Sequence, residues 1–169
     1  QGEDVYIDAS TTPLSIASST GGNYESLNTA DTASLIISDT IDNTTVSLDD
    51  TTADEGGNAT ISASVDNPVT GTDLVITLDN TATITIAVGA TTGTSTSFAV
   101  TNLEDAHVDG ADYTVAITGT TGANYEGLVT TDTSTVTVND TIDTTTVSLT
   151  GVNVNEGVGT ATLTVSVDN

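Results

Sequence analysis

The chain has 169 residues, of which 24 are Asp or Glu, one is His and none is Lys or Arg, for a formal net charge of −24. No side chain can neutralise a phosphate, so nucleic-acid binding and attraction to an anionic membrane surface are excluded, as is any ion pair with Lys or Arg inside the protein. Apolar residues, at 36%, are enough for a thin core and too many for a disordered polar chain, and there is no Cys to staple that core.

In chain order, residues 1–41 open on an acidic loop containing Glu3, Asp4 and Asp8 and read as the last two strands of a repeat. The start, QGEDVYID, has neither a Met nor a basic leader, and no apolar run reaches the ~18 residues that span a bilayer. An excerpt of a longer protein is expected, without direct membrane insertion. At residues 39–48 comes DTIDNTTVSL, which returns as DTIDTTTVSL at 140–149. One offset of 101 residues registers most other landmarks too: Asp4 on Asp105, Asp8 on Asp109, Asn23-Tyr24-Glu25 on Asn124-Tyr125-Glu126, and Glu55-Gly56 on Glu156-Gly157. After one inserted residue, Asp66-Asn67 corresponds to Asp168-Asn169. The expected organisation is a repeat tail (1–41), a complete repeat (42–141) and the two opening strands of a third (142–169).

Within 42–141, β-branched runs separated by turn residues predict seven strands, at 44–49, 58–65, 73–78, 81–88, 95–101, 113–118 and 133–139. Alternation is plain at Ile61, Ala63 and Val65 and at Ile84 and Ile86. Seven antiparallel strands in about 100 residues predict an all-β chain of tandem immunoglobulin-like sandwiches. The spacing of Asp109, Ala111 and Tyr113 adds a tyrosine corner, whose ring at the start of the sixth strand bonds back to the preceding loop; the first copy has Thr12 instead.

In such a sandwich the first loop, the loop before the sixth strand and the end of the seventh gather at the pole where the chain leaves. These carry Asp49, Asp50, Asp54 and Glu55; Glu104, Asp105, Asp109 and Asp112; and Asp140 and Asp143. Across the joint, the next repeat offers Asp168 and Asn169, the counterparts of Asp66 and Asn67. Two carboxylates ~4 Å apart repel by roughly 4 kcal/mol at an effective dielectric of ~20. Without Lys or Arg, only solvent or a metal ion relieves this, and a set of hard oxygen donors from several loops favours Ca²⁺ over zinc, copper or Mg²⁺. Solvated acidic surface is the plainer reading of any single Asp. Clustering and recurrence (Glu3, Asp4, Asp8, Asp39 and Asp42 at Glu104, Asp105, Asp109, Asp140 and Asp143) point to Ca²⁺ at the joint, with Glu55 and Glu156 as bidentate candidates and Glu25 and Glu126 as surface. An ion shared across the joint turns a hinge into a strut.

The phrases DTIDxTTVSL, EGG at 55–57, TITIAVGATTGT at 83–94 and GANYEGL at 122–128 resemble the extender repeats of giant RTX adhesins, a type I-secreted family of biofilm and ice-binding adhesins, along the whole chain. The resemblance implies Ca²⁺-rigidified immunoglobulin-like repeats, export unfolded, folding in extracellular calcium at the bacterial surface, and interdomain ligands at Asp39, Asp42, Asp140, Asp143, Glu104, Asp105 and Asp109. The chain departs from the family where Tyr6 stands in the place of His107, and the glycine-rich RTX nonapeptide is absent.

The expected function is therefore a non-catalytic spacer that projects an adhesive domain, with neighbouring repeats of the same chain as partners. One His, no Cys and no Lys argue against an enzyme. Two alternatives stand beside the spacer. A carbohydrate- or ice-binding module would use the Thr arrays at 81–86 and 91–97, although four Tyr and one Phe make few platforms for sugars. An end-to-end assembling filament subunit would join the incomplete repeats of different chains.

Overall fold

The computed structural model describes residues 2–157 and 159–169; Gln1, where the first expected piece begins, and Val158, inside the third, lie outside the described residues. The described residues are all-β. No helix among them is long and apolar enough to cross a membrane.

Alternation of apolar and polar residues writes the strands of residues 42–141. In β3 (Asn43–Leu48) Thr44, Val46 and Leu48 point inward, and in β13 (Thr133–Asn139) Ser134, Val136 and Val138 do. Two sheets face each other across these side chains. One has the order β4 (Thr51–Asp54), β13, β11 (Tyr113–Thr121), β7 (Leu74–Leu78) and β8 (Thr83–Ile86). The other has the order β12 (Gly127–Val129), β3, β6 (Ser62–Val65) and β9 (Thr92–Thr94), while the short strands β5 (Asn58–Ala59) and β10 (Phe98–Ala99) pair by themselves. Ile61, Leu74, Ile76, Leu78, Ile84, Ile86, Val115 and Val136 are fully buried between the sheets. The result is a β-sandwich filled almost wholly by aliphatic side chains.

The strand pattern differs from the sequence expectation in several places, one being β12, an additional strand that pairs in parallel with β3. The second predicted strand is interrupted at Ile61, whose N–H donates to Ser95 Oγ at 2.9 Å, so 58–65 forms as β5 and β6. The fifth, expected over 95–101, forms as β9 and β10 on either side of that same Ser95 crossing. After Asp49-Asp50 the first strand crosses to the opposite sheet and continues as β4, parallel to β13. Asp50 caps the crossing by accepting the N–H of Thr135 at 2.6 Å. Tyr113 opens the sixth expected strand, β11, opposite Val136 of β13, and is partly buried against the core.

Outside the sandwich, β1 (Ser10–Ser15) pairs with β2 (Thr32–Ile37), and β14 (Val147–Thr150) with β15 (Thr164–Val167), each antiparallel. Their registers copy the central ones. Thr12 faces Leu35 as Tyr113 faces Val136, and Leu149 faces Val165 as Leu48 faces Ala63. Val136 is 0% exposed and its counterpart Leu35 is 49%; Leu48 is 8% and Leu149 is 69%. The pairing is thus a property of each strand pair, whereas burial requires the opposing sheet.

Truncating a side chain between the sheets removes burial and leaves a cavity. Ile76→Ala should lower the unfolding free energy by about 2–5 kcal/mol in urea denaturation, and Leu149→Ala by under about 0.5 kcal/mol. Equal costs at the two positions would contradict this placement of the core.

Candidate metal centre

The strand β4 delivers Glu55 to the end of the sandwich. Its N–H donates to Asn139 O at 2.9 Å, and the chain then turns as Gly56 N–H donates to Asn102 O at 2.8 Å and Gly57 N–H to Asp54 O at 3.1 Å. Gly56 has φ +65°, and a Cβ there would lie 2.8 Å from the Glu104 Cβ, so only glycine lets the loop of Glu104 close over this turn. On the other side, a Cβ on Gly110 would sit 2.8 Å from Asp140 N and 2.9 Å from Val138 O. That glycine lets Asp109 lie against the end of β13. The Asp109 N–H donates to Asp140 Oδ1 at 3.1 Å, and Asn102 Nδ2 donates to Asp109 O at 2.7 Å.

Glu55, Asp109 and Asp140 thereby each bring a carboxylate oxygen within 4.8 Å of the others. Glu55 is 3% exposed. Its Oε1 accepts from Thr141 N at 2.9 Å and Thr141 Oγ1 at 3.0 Å, while its Oε2 is buried with no hydrogen-bond partner. A buried, unpartnered carboxylate oxygen on a residue close to two more carboxylates is costly, and a proton or a cation would relieve it. Thr141 Oγ1 also contacts Glu104 Oε1. A hydroxyl has one proton, so it satisfies one of these two glutamates and leaves the other in need. Asp109 is exposed, and its carboxyl is raised above its ordinary value, first by desolvation, then by the adjoining Glu55 carboxylate and by the charges of Asp105 and Asp140. The donors are all hard oxygens, so the cluster fits a hard divalent cation.

The other candidate residues fall into three groups. Glu3, Asp4, Asp8 and Asp39 line a hollow of about 100 Å³ with Thr40 and Glu126. Its bonds copy the central cluster: Asp39 Oδ2 accepts the N–H of Asp8 at 3.0 Å, and Thr40 Oγ1 contacts Glu3 Oε1. Glu104, Asp105 and Asp143 line a groove of about 530 Å³ with His107 and Asn169. Asp66 and Asp168 instead accept backbone amides, those of Thr45 at 3.1 Å and Thr146 at 2.8 Å, and the latter bond draws the Asp168 carboxyl below its ordinary value. Glu156 is exposed. Asp49 and Asp50 sit at the sheet crossing, opposite Ser134 and Thr135 at the far end of β13 from Asn139. Glu126, which reads as surface in the sequence, holds the Asp42 N–H at 2.8 Å and faces the acids of the first hollow. The signal for it is the recurrence of Asn-Tyr-Glu at 23–25 and 124–126.

The family model of the LapA domain matches residues 42–141. The chain belongs to the LapA domain family. That membership points to a large adhesin of the LapA kind, associated with the cell surface and structural rather than enzymatic. No curated protein and no solved structure matches the chain. The Glu55, Asp109 and Asp140 cluster lies inside the matched LapA domain, at the end from which residues 142–169 depart.

A carboxyl whose folded pKa is raised adds stability that is full below its unfolded value and fades as pH rises through the folded one. In chelator, Asp109→Asn, which removes the repelled charge, should therefore melt higher than the parent domain at neutral pH, and the gap should close as the pH is lowered. A variant that melts no higher at neutral pH would contradict the repulsion assigned to the cluster.

Proposed function

We propose that this chain is a non-catalytic extender segment of a secreted bacterial surface adhesin, with residues 1–41 and 142–169 as parts of the repeats on either side of 42–141. Calcium bound at the joints stiffens the array, so that it projects an adhesive domain away from the cell. The observation that carries this reading is Glu55 Oε2, buried and unpartnered beside Asp109 and Asp140 at the exit end of the sandwich.

Glu55, Asp109 and Asp140 would hold the ion, which supplies the positive charge that no Lys or Arg provides. Glu55 already grips Thr141 through both its N–H and its hydroxyl, and Thr141 leads directly into Ile142 and Asp143. Fixing the Glu55 carboxylate therefore fixes the direction in which the chain leaves the domain. The corresponding bonds of Thr40 and Asp39 before Asp42 give the preceding joint the same construction. The resemblance to RTX extender repeats supplies the rest of the setting: export in the unfolded state and folding where extracellular calcium is met. Such a route suits a chain with no Cys and a net charge of −24, which repels itself until cations are present.

Small-angle scattering and thermal melting, each with calcium and with EDTA, test the proposal. Calcium should lengthen the maximum dimension toward a straight rod and raise the melting temperature with ion concentration, by about 2.7 kcal/mol of stabilisation at 100 times the dissociation constant. Glu55→Gln should keep the fold in EDTA and lose much of the calcium increment. Identical scattering and melting in the two buffers would remove the role of the ion.

A further inference from the structure

A second contact joins the two sides of the Asp39–Asp42 hinge, and its bonds use backbone and aromatic groups. Glu126 N–H donates to Val5 O at 2.9 Å, Ile7 N–H donates to Asn124 O at 3.1 Å, and Asn124 Nδ2 donates to Ile7 O at 3.0 Å. These bonds make an antiparallel bridge centred on Tyr6 and Tyr125. The two rings stack with centroids 5.6 Å apart and planes 22° from parallel. Both phenols are satisfied by the loop between β6 and β7: Tyr6 donates to Pro68 O at 2.7 Å, and Tyr125 to Asn67 O at 2.6 Å.

The ring of Tyr125 is buried, at 8% exposed, whereas its counterpart Tyr24, which has no such stack among the described residues, is 72% exposed. Burial of this residue is thus conferred by what packs on it. The segment that arrives is shaped in advance, because the Asp4 carboxylate accepts the Tyr6 N–H at 2.8 Å and Asp105 accepts the His107 N–H at 2.7 Å at the next joint. The turn forms in the second case without any stacked tyrosine, so it belongs to the loop's own sequence.

We propose that Asn67-Pro68 and Asn124-Tyr125-Glu126 form a socket for the Val5-Tyr6-Ile7 segment of the preceding repeat, and that this seat holds the joint without metal. Recognition is by strand addition over three residues, with one aromatic ring as the anchor. A stack with both hydroxyls paired and three flanking backbone and amide bonds needs no cation to form. Chelation therefore loosens the acidic side of the joint and leaves the two repeats hinged on the tyrosine side. This proposal does not rest on calcium binding, and the two fail separately.

The test is nuclear magnetic resonance of the whole 169-residue chain in EDTA. Ring-to-ring Overhauser contacts between Tyr6 and Tyr125 should persist, and the amides of Ile7 and Glu126 should exchange slowly. Tyr6→Ala should reduce the protection of the Glu126 amide about tenfold and Tyr6→Phe by less, since the second keeps the stack and loses only the Pro68 bond. The β7 and β11 amides report in the same spectra that the sandwich is intact. Loss of the ring contacts on adding EDTA would overturn the proposal, as would equal Glu126 protection in the wild-type chain and Tyr6→Ala.

Discussion

The arrangement of this protein turns on a carboxylate that has been taken out of water in a chain with no basic side chain to meet it. Glu55 is held by its N–H to Asn139 and by the two bonds from Thr141, and its other oxygen is left buried and unpaired, with carboxylates of Asp109 and Asp140 close by. Proteins commonly settle such a charge with an arginine or lysine. Here the sequence offers neither, so a balancing positive charge would have to come from outside the chain. The consequence would be mechanical, because the residue that would hold an ion also grips Thr141, just past the end of β13.

Chains this acidic must otherwise dispose of their carboxylates with backbone amides, and the structure does so throughout. Asp132 accepts the N–H of Leu48, Asp50 that of Thr135, Asp73 that of Val88, Asp66 that of Thr45 and Asp168 that of Thr146. Each of these ties two segments distant in sequence together through a charge-assisted bond. A working division of the acids follows. Those aimed only at amides staple one segment to another, and Glu55, Asp109 and Asp140 are set apart by lying close to one another.

Much of this was legible from residue order alone. The alternation in β7, β8 and β13 is clean, and the offset of 101 residues that aligns Asp39 with Asp140 also carries the strand register of the outer pairs. What escaped notice depends on partners distant in sequence. Thr51–Asp54 looks like a loop because Asp49-Asp50 breaks the run, and it becomes a strand only through its parallel alignment with β13. Asp66 and Asp168 read as ligands because a carboxylate in a loop has the same letter whether it faces a cation or an amide. Glu126 and the Tyr6–Tyr125 stack were hidden for a related reason: each takes its role from a residue 84 or more positions away, across the joint. Glu55 was picked out by the Gly-Gly that follows it, and the positive φ at Gly56 shows what the first of those glycines is for.

The central claim concerns the space between three oxygens, and crystallography of the chain grown in millimolar calcium addresses it most directly. The account predicts a cation at about 2.3–2.6 Å from carboxylate oxygens of Glu55, Asp109 and Asp140, with Glu55 Oε2 among its ligands. A well-ordered map that instead shows Glu55 Oε2 bonded to water or to a protein donor, and no cation among the three, would contradict it.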